Sequence, residues 1–299
     1  MKLDIVSCQG SIDKPAIVFI HGLGMNRDIW INPSESRILG GIFSLGKLLG
    51  KKSGDRYGKL RTLFDDLKNR DYPVIAWSQK RPAAPIHEAL PELEDILKMS
   101  CRMTESGVVL IGHSRGGLIG RKYLSERNNN LIRGLITISA PHKGSNIARV
   151  AGYLSPFASL LNPLLPEGDK GTLFFSVKRI LQFLRSRALR ELLPNSGFFK
   201  SLHDGPIEGI CYASAGGTNP TLFELSDYAF PDMLENIIPG NIYPEEIKQG
   251  KGDGLVSAES SRLPWCDQHY DVECNHAEIL FDRPLRNILI QVVEGIARA

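Results

Sequence analysis

A serine flanked by glycines, placed where a strand turns at once into a helix, leaves a chain few folds to choose from. Residues 108–118 read Val-Val-Leu-Ile-Gly-His-Ser-Arg-Gly-Gly-Leu. The apolar run Val108–Ile111 predicts a buried strand, and the amphipathic segment Leu118–Leu124 predicts a helix. Between them, Gly112-His113-Ser114-Arg115-Gly116 fits the G-x-S-x-G pattern of a nucleophile elbow. The serine of such an elbow sits on a tight, strained turn, and side chains at 112 and 116 would collide with neighbouring backbone. The turn lifts the Ser114 hydroxyl above the sheet edge. It also aims the Arg115 backbone N–H and the helix N-terminus at the same point, where an oxygen that becomes negative would be stabilised. A glycine-rich turn without chemistry shares the five-residue pattern; the strand before it and the helix after it argue against that reading.

Strands and helices alternate on both sides of this turn. Leu3–Cys8, Pro15–Ile20, Pro73–Trp77, Ile132–Ser139, Ile207–Ala213 and Gln268–Glu273 read as strands. Leu60–Asn69, Ala89–Met103 and a closing segment with Leu285, Ile288, Leu289, Val292, Val293 and Ile296 at helical spacing read as helices. The alternation predicts an α/β fold with a mostly parallel central sheet flanked by helices. With 299 residues, 42% of them apolar, the chain can bury one large core or two smaller ones.

Two stretches break the rhythm. Residues 26–58 are too long for an ordinary strand–helix connection and read as an apolar, basic insertion near the mouth of a site, or as a plain surface loop. Residues 145–206 carry eight Lys/Arg against four Asp/Glu. From Leu173 to Leu192 their apolar residues recur at helical spacing. This segment is expected to form a helical cap between a first core part, 1–144, and a second, 207–299; an ordinary helical subdomain with a solvated basic face is the alternative.

The net charge of +3, without a Lys/Arg-rich block, argues against a nucleic-acid partner. No apolar run approaches the roughly 18–20 residues of a membrane span. The N-terminus lacks the apolar region and small-residue cleavage site of a signal peptide, so a cytoplasmic location is expected. Five scattered cysteines with no C-x-x-C suggest isolated thiols, although Cys266 and Cys274 could pair in an exported chain.

A serine hydroxyl is nearly inert at neutral pH and needs a base to take its proton. The base needs a carboxylate to fix its tautomer. Of seven histidines, His21 and His113 belong to glycine turns, and His87 and His203 sit in polar stretches. His142 follows a strand, where it could line a site, but it comes too early in the chain for the elbow order of serine, acid, histidine. His276 follows the last strand. Asp253, held between Gly252 and Gly254, is the preferred acid, with Asp227 and Asp232 as competitors. The resulting expectation is Ser114 as nucleophile, His276 as base and acid, and Asp253 as orienting carboxylate. His21-Gly22-Leu23-Gly24, directly after a strand, would supply the Leu23 N–H as a second oxyanion donor beside that of Arg115.

His-Gly-Leu-Gly, Gly-His-Ser-Arg-Gly-Gly, Ala-Pro-His-Lys-Gly-Ser, Gly-Asp-Gly-Leu-Val and Asn-His-Ala-Glu occur in that order between residues 21 and 278. With them the chain resembles the α/β-hydrolases of lipase/esterase type, close to the bacterial triacylglycerol-lipase group. Residues 192–199 also resemble the end of such a family's cap. The resemblance implies ester hydrolysis through an acyl-enzyme on Ser114, with Asp253 and His276 completing the triad. It implies a small-molecule or lipid ester as substrate, with contact to lipid surfaces through the cap, and no cofactor. Some relatives bind calcium through a carboxylate just after the histidine. Glu278 stands there without an evident second ligand, so no metal is expected. Thioester, amide or lactone hydrolysis on the same residues, and a non-catalytic acyl-binding role, remain alternatives.

Overall fold

The computed structural model describes residues 3–38, 43–45, 60–127, 130–147, 149, 186–225, 228–230, 243–266 and 268–298. Seven strands among them form one sheet: β1 Asp4–Cys8, β2 Ala16–Ile20, β3 Val74–Ser78, β4 Val108–His113, β5 Ile132–Ile138, β6 Cys211–Gly217 and β7 Gln268–Val272. Their spatial order is β1-β3-β2-β4-β5-β6-β7. Only β1, at one edge, is antiparallel to its neighbour; the other pairings are parallel.

Parallel strands buried on both faces read as continuous apolar runs, and β2 (Ala-Ile-Val-Phe-Ile) is buried at every position. Alternate residues feed two separate cores. Ile17, Phe19, Val109, Ile111 and Ile136 pack on one face against helices α1 (Leu63–Lys68) and α6 (Arg283–Arg298). Val18, Ile20, Ile75, Trp77, Leu110 and Leu135 pack on the other against α2 (Leu90–Ser100) and α3 (Arg115–Glu126). Helix α6 buries Leu285, Leu289, Ile290, Val293 and Ile296 at 3.6-residue spacing, each worth about 1.5–3 kcal/mol against exposure. Helix α1 starts at Thr62 in a capping box with Asp65, where sequence periodicity had suggested Leu60.

The strand expected over Ile207–Ala213 begins later, at Cys211, and continues through Gly217. Residues 207–210 form a turn with Gly209 at φ +79°. The small residues from Ala213 to Gly217 are strand because they lie in a narrow gap. There Gly216 faces Ser261 and Gly217 faces the Cys274 carbonyl, leaving no room for a Cβ.

In the 26–58 segment, the short helix Asp28–Ile31 buries Ile29 and Trp30 in the core; residues 46–59 lie outside the described residues. Most of the expected cap, residues 151–185, lies outside them too. Both of its roots are described. The Ser145 N–H donates to the Leu192 carbonyl at 2.6 Å, and the Ser145 hydroxyl donates to the Leu255 carbonyl at 2.7 Å. Ala188 and Leu189, in helix α4 (Arg187–Glu191), are buried with Leu192 and with Leu202, which follows the short helix α5 (Gly197–Lys200). Asp204 takes two hydrogen bonds from the buried Arg121 of α3. No disulfide joins any of the five cysteines, Cys266 and Cys274 included. Among the described residues no helix is long and apolar enough to cross a membrane.

Register sets what meets at the C-terminal edge of the sheet. Ile20 pairs with Gly112, and Gly112 with Thr137. The chain therefore leaves β2, β4 and β5 at one level, where open parallel sheets gather their reactive groups.

Candidate active site

Strand β4 delivers Ser114 at φ +53° and ψ −127°, a backbone region that strains any residue with a side chain. Its N–H donates to the Ile138 carbonyl at 2.8 Å, and its own carbonyl accepts from the Gly117 N–H at 3.0 Å. Two glycines make the turn possible. A Cβ on Gly112 would collide with the Gly116–Gly117 backbone, and one on Gly116 would run into the Ile20 carbonyl. The His21–Gly24 loop lies against the serine, since a Cβ built on Gly22 would stand 3.1 Å from Ser114 Cβ. Neither the Leu23 nor the Arg115 backbone N–H is taken up by a hydrogen bond to another described residue.

Asp253 and His276 are brought together. His276 Nδ1 and Asp253 Oδ2 are 2.8 Å apart, and both side chains are buried. The other carboxylate oxygen accepts from the N–H groups of Leu255, at 3.0 Å, and Val256, at 2.7 Å. The His276 N–H donates to the Asp253 carbonyl at 2.9 Å, so backbone and side chain tie the two loops twice. Because a carboxylate only accepts, Nδ1 carries the ring proton and Nε2 keeps a lone pair. The His276 ring lies 4.8 Å from the ring of His113, the neighbour of Ser114. Among the described residues no hydrogen bond joins the Ser114 hydroxyl to His276. Contacts of this kind often close only when substrate is bound.

The other histidines are committed elsewhere or exposed. His113 Nε2 donates to the His276 carbonyl at 3.0 Å, and burial, reinforced by the nearby His276, holds its pKa well below the ordinary value. His142, expected as a site-wall residue, is buried between Thr137 and Arg121; burial and then the Arg121 charge keep it neutral. His269 bonds Ser214 at 2.8 Å. His21 donates from Nδ1 to the Gly22 carbonyl and accepts the Gln79 N–H at Nε2, both at 2.9 Å. Its pKa is lowered to about 4, mainly by burial. His87 and His203 are exposed. Asp227 and Asp232, the competing acids, lie outside the described residues. Among the described residues no three His, Cys, Asp or Glu side chains gather as a metal site, at Glu278 or elsewhere.

Sequence reasoning missed Gln79 and the structural part of Asn275. Asn275 Oδ1 accepts from the N–H groups of Ala277 and Glu278, and Nδ2 donates to the Thr221 carbonyl, so it shapes the loop that carries His276. Gln79 stands just past the C-terminal end of β3 and Asn275 shortly after the edge strand β7, and that position was the available signal.

A seven-stranded sheet with one antiparallel edge, a serine elbow after a central strand, and an acid and a histidine on later loops invite comparison with known proteins. The mature form of the lipase BlEst2 from Bacillus licheniformis superposes with a TM-score of 0.54 and 17% identity, over 97% of each chain. The chain has the α/β-hydrolase fold. The esterase RhEst1 from Rhodococcus sp. ECU1013 matches at a TM-score of 0.50 and 16% identity, over 98% of this chain and 96% of the other. Residues 78–163, which include the elbow, match the model of the PGAP1-like alpha/beta domain. No curated protein matches the chain. In an α/β-hydrolase framework the elbow and the Asp253–His276 pair occupy the end of the sheet where chemistry is usually done.

Proposed function

We propose that this chain is a serine hydrolase of carboxylic esters, with Ser114 as nucleophile, His276 as base and then acid, Asp253 as orienting carboxylate, and the N–H groups of Leu23 and Arg115 as oxyanion hole. The observation that carries this reading is the buried Asp253 carboxylate 2.8 Å from His276 Nδ1, next to a serine held on a strained turn. A lone pair on His276 Nε2 takes the Ser114 proton as Oγ attacks the ester carbonyl. The carbonyl π electrons move to oxygen, where two N–H groups receive the charge. Collapse expels the alcohol, which leaves with the proton from Nε2. Water then repeats the sequence on the acyl-enzyme and releases the acid. Asp253 stays ionised throughout and stabilises the imidazolium.

A lipase and an esterase among the structural neighbours support ester chemistry. The basic balance of residues 145–206 supports a cap over the site and an ester of an acyl lipid as substrate. The test combines a fluorophosphonate probe with nitrophenyl esters from acetyl to palmitoyl. One label is expected, on Ser114, with rates that rise with acyl length. Ser114→Ala should lose the label and about 10⁶ in kcat. Labelling that survives Ser114→Ala overturns the nucleophile, and rates that fall steeply beyond butyryl overturn the lipid substrate.

A further inference from the structure

The two oxyanion donors belong to separate stretches of chain, one after β2 and one after β4. We propose that Gln79 and the Arg115 side chain form a buried clamp that fixes the spacing between them. This rests on the serine-hydrolase reading above. Arg115 supplies one donor from its backbone, and its guanidinium Nη1 donates to Gln79 Oε1 at 2.6 Å. Gln79 Nε2 donates to the His21 carbonyl at 3.0 Å, and the Gln79 backbone N–H donates to His21 Nε2 at 2.9 Å. His21 begins the loop that carries Leu23. A single side chain therefore bridges the residue that follows the nucleophile to the loop bearing the other donor. Two further bonds tie the same segments: Arg115 Nη2 to the Ala84 carbonyl at 2.5 Å, and the Gly24 N–H to the Pro82 carbonyl at 3.3 Å.

The groups are suited to holding a distance. His21 and Arg115 are fully buried and Gln79 is nearly so. Guanidinium, amide and imidazole are planar, and the Arg115 bonds are charge-assisted. An oxyanion hole works only when both donors reach about 2.7–3.1 Å from the developing charge. A displacement of about 1 Å is worth roughly 10²-fold in rate. Gln79 and the Arg115 side chain touch no reacting atom in this account; they are positioning residues.

The test uses the full chain with Gln79→Glu, Gln79→Leu and Arg115→Lys. Gln79→Glu leaves Arg115 a partner but turns the donor toward the His21 carbonyl into an acceptor. Its kcat should fall by about 10²-fold with KM little changed. Affinity for a trifluoromethyl ketone, which forms an oxyanion on the serine, should fall in parallel. Gln79→Leu should behave alike, and Arg115→Lys should lose less. A folded Gln79→Glu protein with kcat and ketone affinity within threefold of the parent overturns the clamp and leaves the hydrolase reading standing. So does a loss of kcat that merely follows a lower melting temperature and vanishes on cooling. A parent protein that neither hydrolyses esters nor takes the fluorophosphonate removes both readings. Should Gln79→Leu not fold, Gln79→Glu and Arg115→Lys decide.

Discussion

Ser114 is held in place by contact, His276 by hydrogen bonds. On the nucleophile side the chain is regular, a strand running into a helix, and the strained serine stays because Gly112 and Gly116 let three backbones lie almost touching. On the acid–base side there is little regular structure. The loops around Asp253 and His276 are shaped by backbone N–H groups on a carboxylate, by Asn275 on two more, and by His113 on the His276 carbonyl. Contact is insensitive to chemistry but intolerant of volume, whereas hydrogen bonds are the reverse. Substituting a glycine on the first side should therefore be felt as lost fold, and a hydrogen-bonding group on the second as lost function.

After loss of the serine itself, the largest effect expected is from Asp253→Asn, which keeps shape and changes chemistry. It should lower kcat by about 10⁴ if the site follows the behaviour of serine triads, with the melting temperature little moved. Steady-state rates and calorimetry measure the two; kcat within tenfold of the parent would hand the orienting role to another carboxylate. Gly116→Ala is the opposite case. Its methyl has no space beside the Ile20 carbonyl, and urea denaturation should show a loss of about 3 kcal/mol. An unchanged midpoint would mean that the elbow has slack and that sterics do not hold the serine.

Acid should weaken the framework through histidines buried neutral on both sides. The folded-state pKa of His21 is about 4, below the ordinary 6.5. The stability this represents, about 3 kcal/mol for this residue, is fully present above pH 6.5 and is lost as pH falls towards 4. His113 and His142 act in the same direction. Urea midpoints from pH 7.5 to 4 should fall with pH, and a flat profile would deny these rings their neutral burial. The smallest effect belongs to Asn275→Ala. Freed of its three side-chain hydrogen bonds, the His276 loop should loosen by about 1–2 kcal/mol and cost roughly tenfold in kcat. A larger loss of stability than of activity would place Asn275 with the contact-held half.

The same contrast explains what could be read from the sequence. The elbow was legible because glycine is demanded there by geometry and leaves its mark in the text. The alternation of apolar runs gave the α/β architecture, since parallel strands buried on two faces cannot look otherwise. Asp253, the proposed acid, stood out through Gly252 and Gly254, its place before the last strand and histidine, and the Gly-Asp-Gly-Leu-Val motif. Nothing in the text says that its carboxylate meets the N–H groups of Leu255 and Val256, or that His113 turns toward the His276 carbonyl. Gln79 was invisible for the same reason: a polar residue after a strand becomes a bridge only through the loops it meets. The far end of β6 was misjudged because residues 214–217 carry no β-formers; strand pairing there is imposed by neighbours that admit only small side chains.

The bond from the Ser145 N–H to the Leu192 carbonyl has a consequence for how such a protein can change over time. Chain that departs at 145 and is back at 192 leaves and rejoins the core at one spot, so the sheet does not register how much lies between. Doubling the length of a closed loop costs only about 0.6 kcal/mol in closure entropy. Residues 150–185 can therefore be exchanged as a cassette, longer, shorter or of another charge, provided the roots keep Ala188 and Leu189 in the core and the Glu191 carboxylate on the Ile86 N–H.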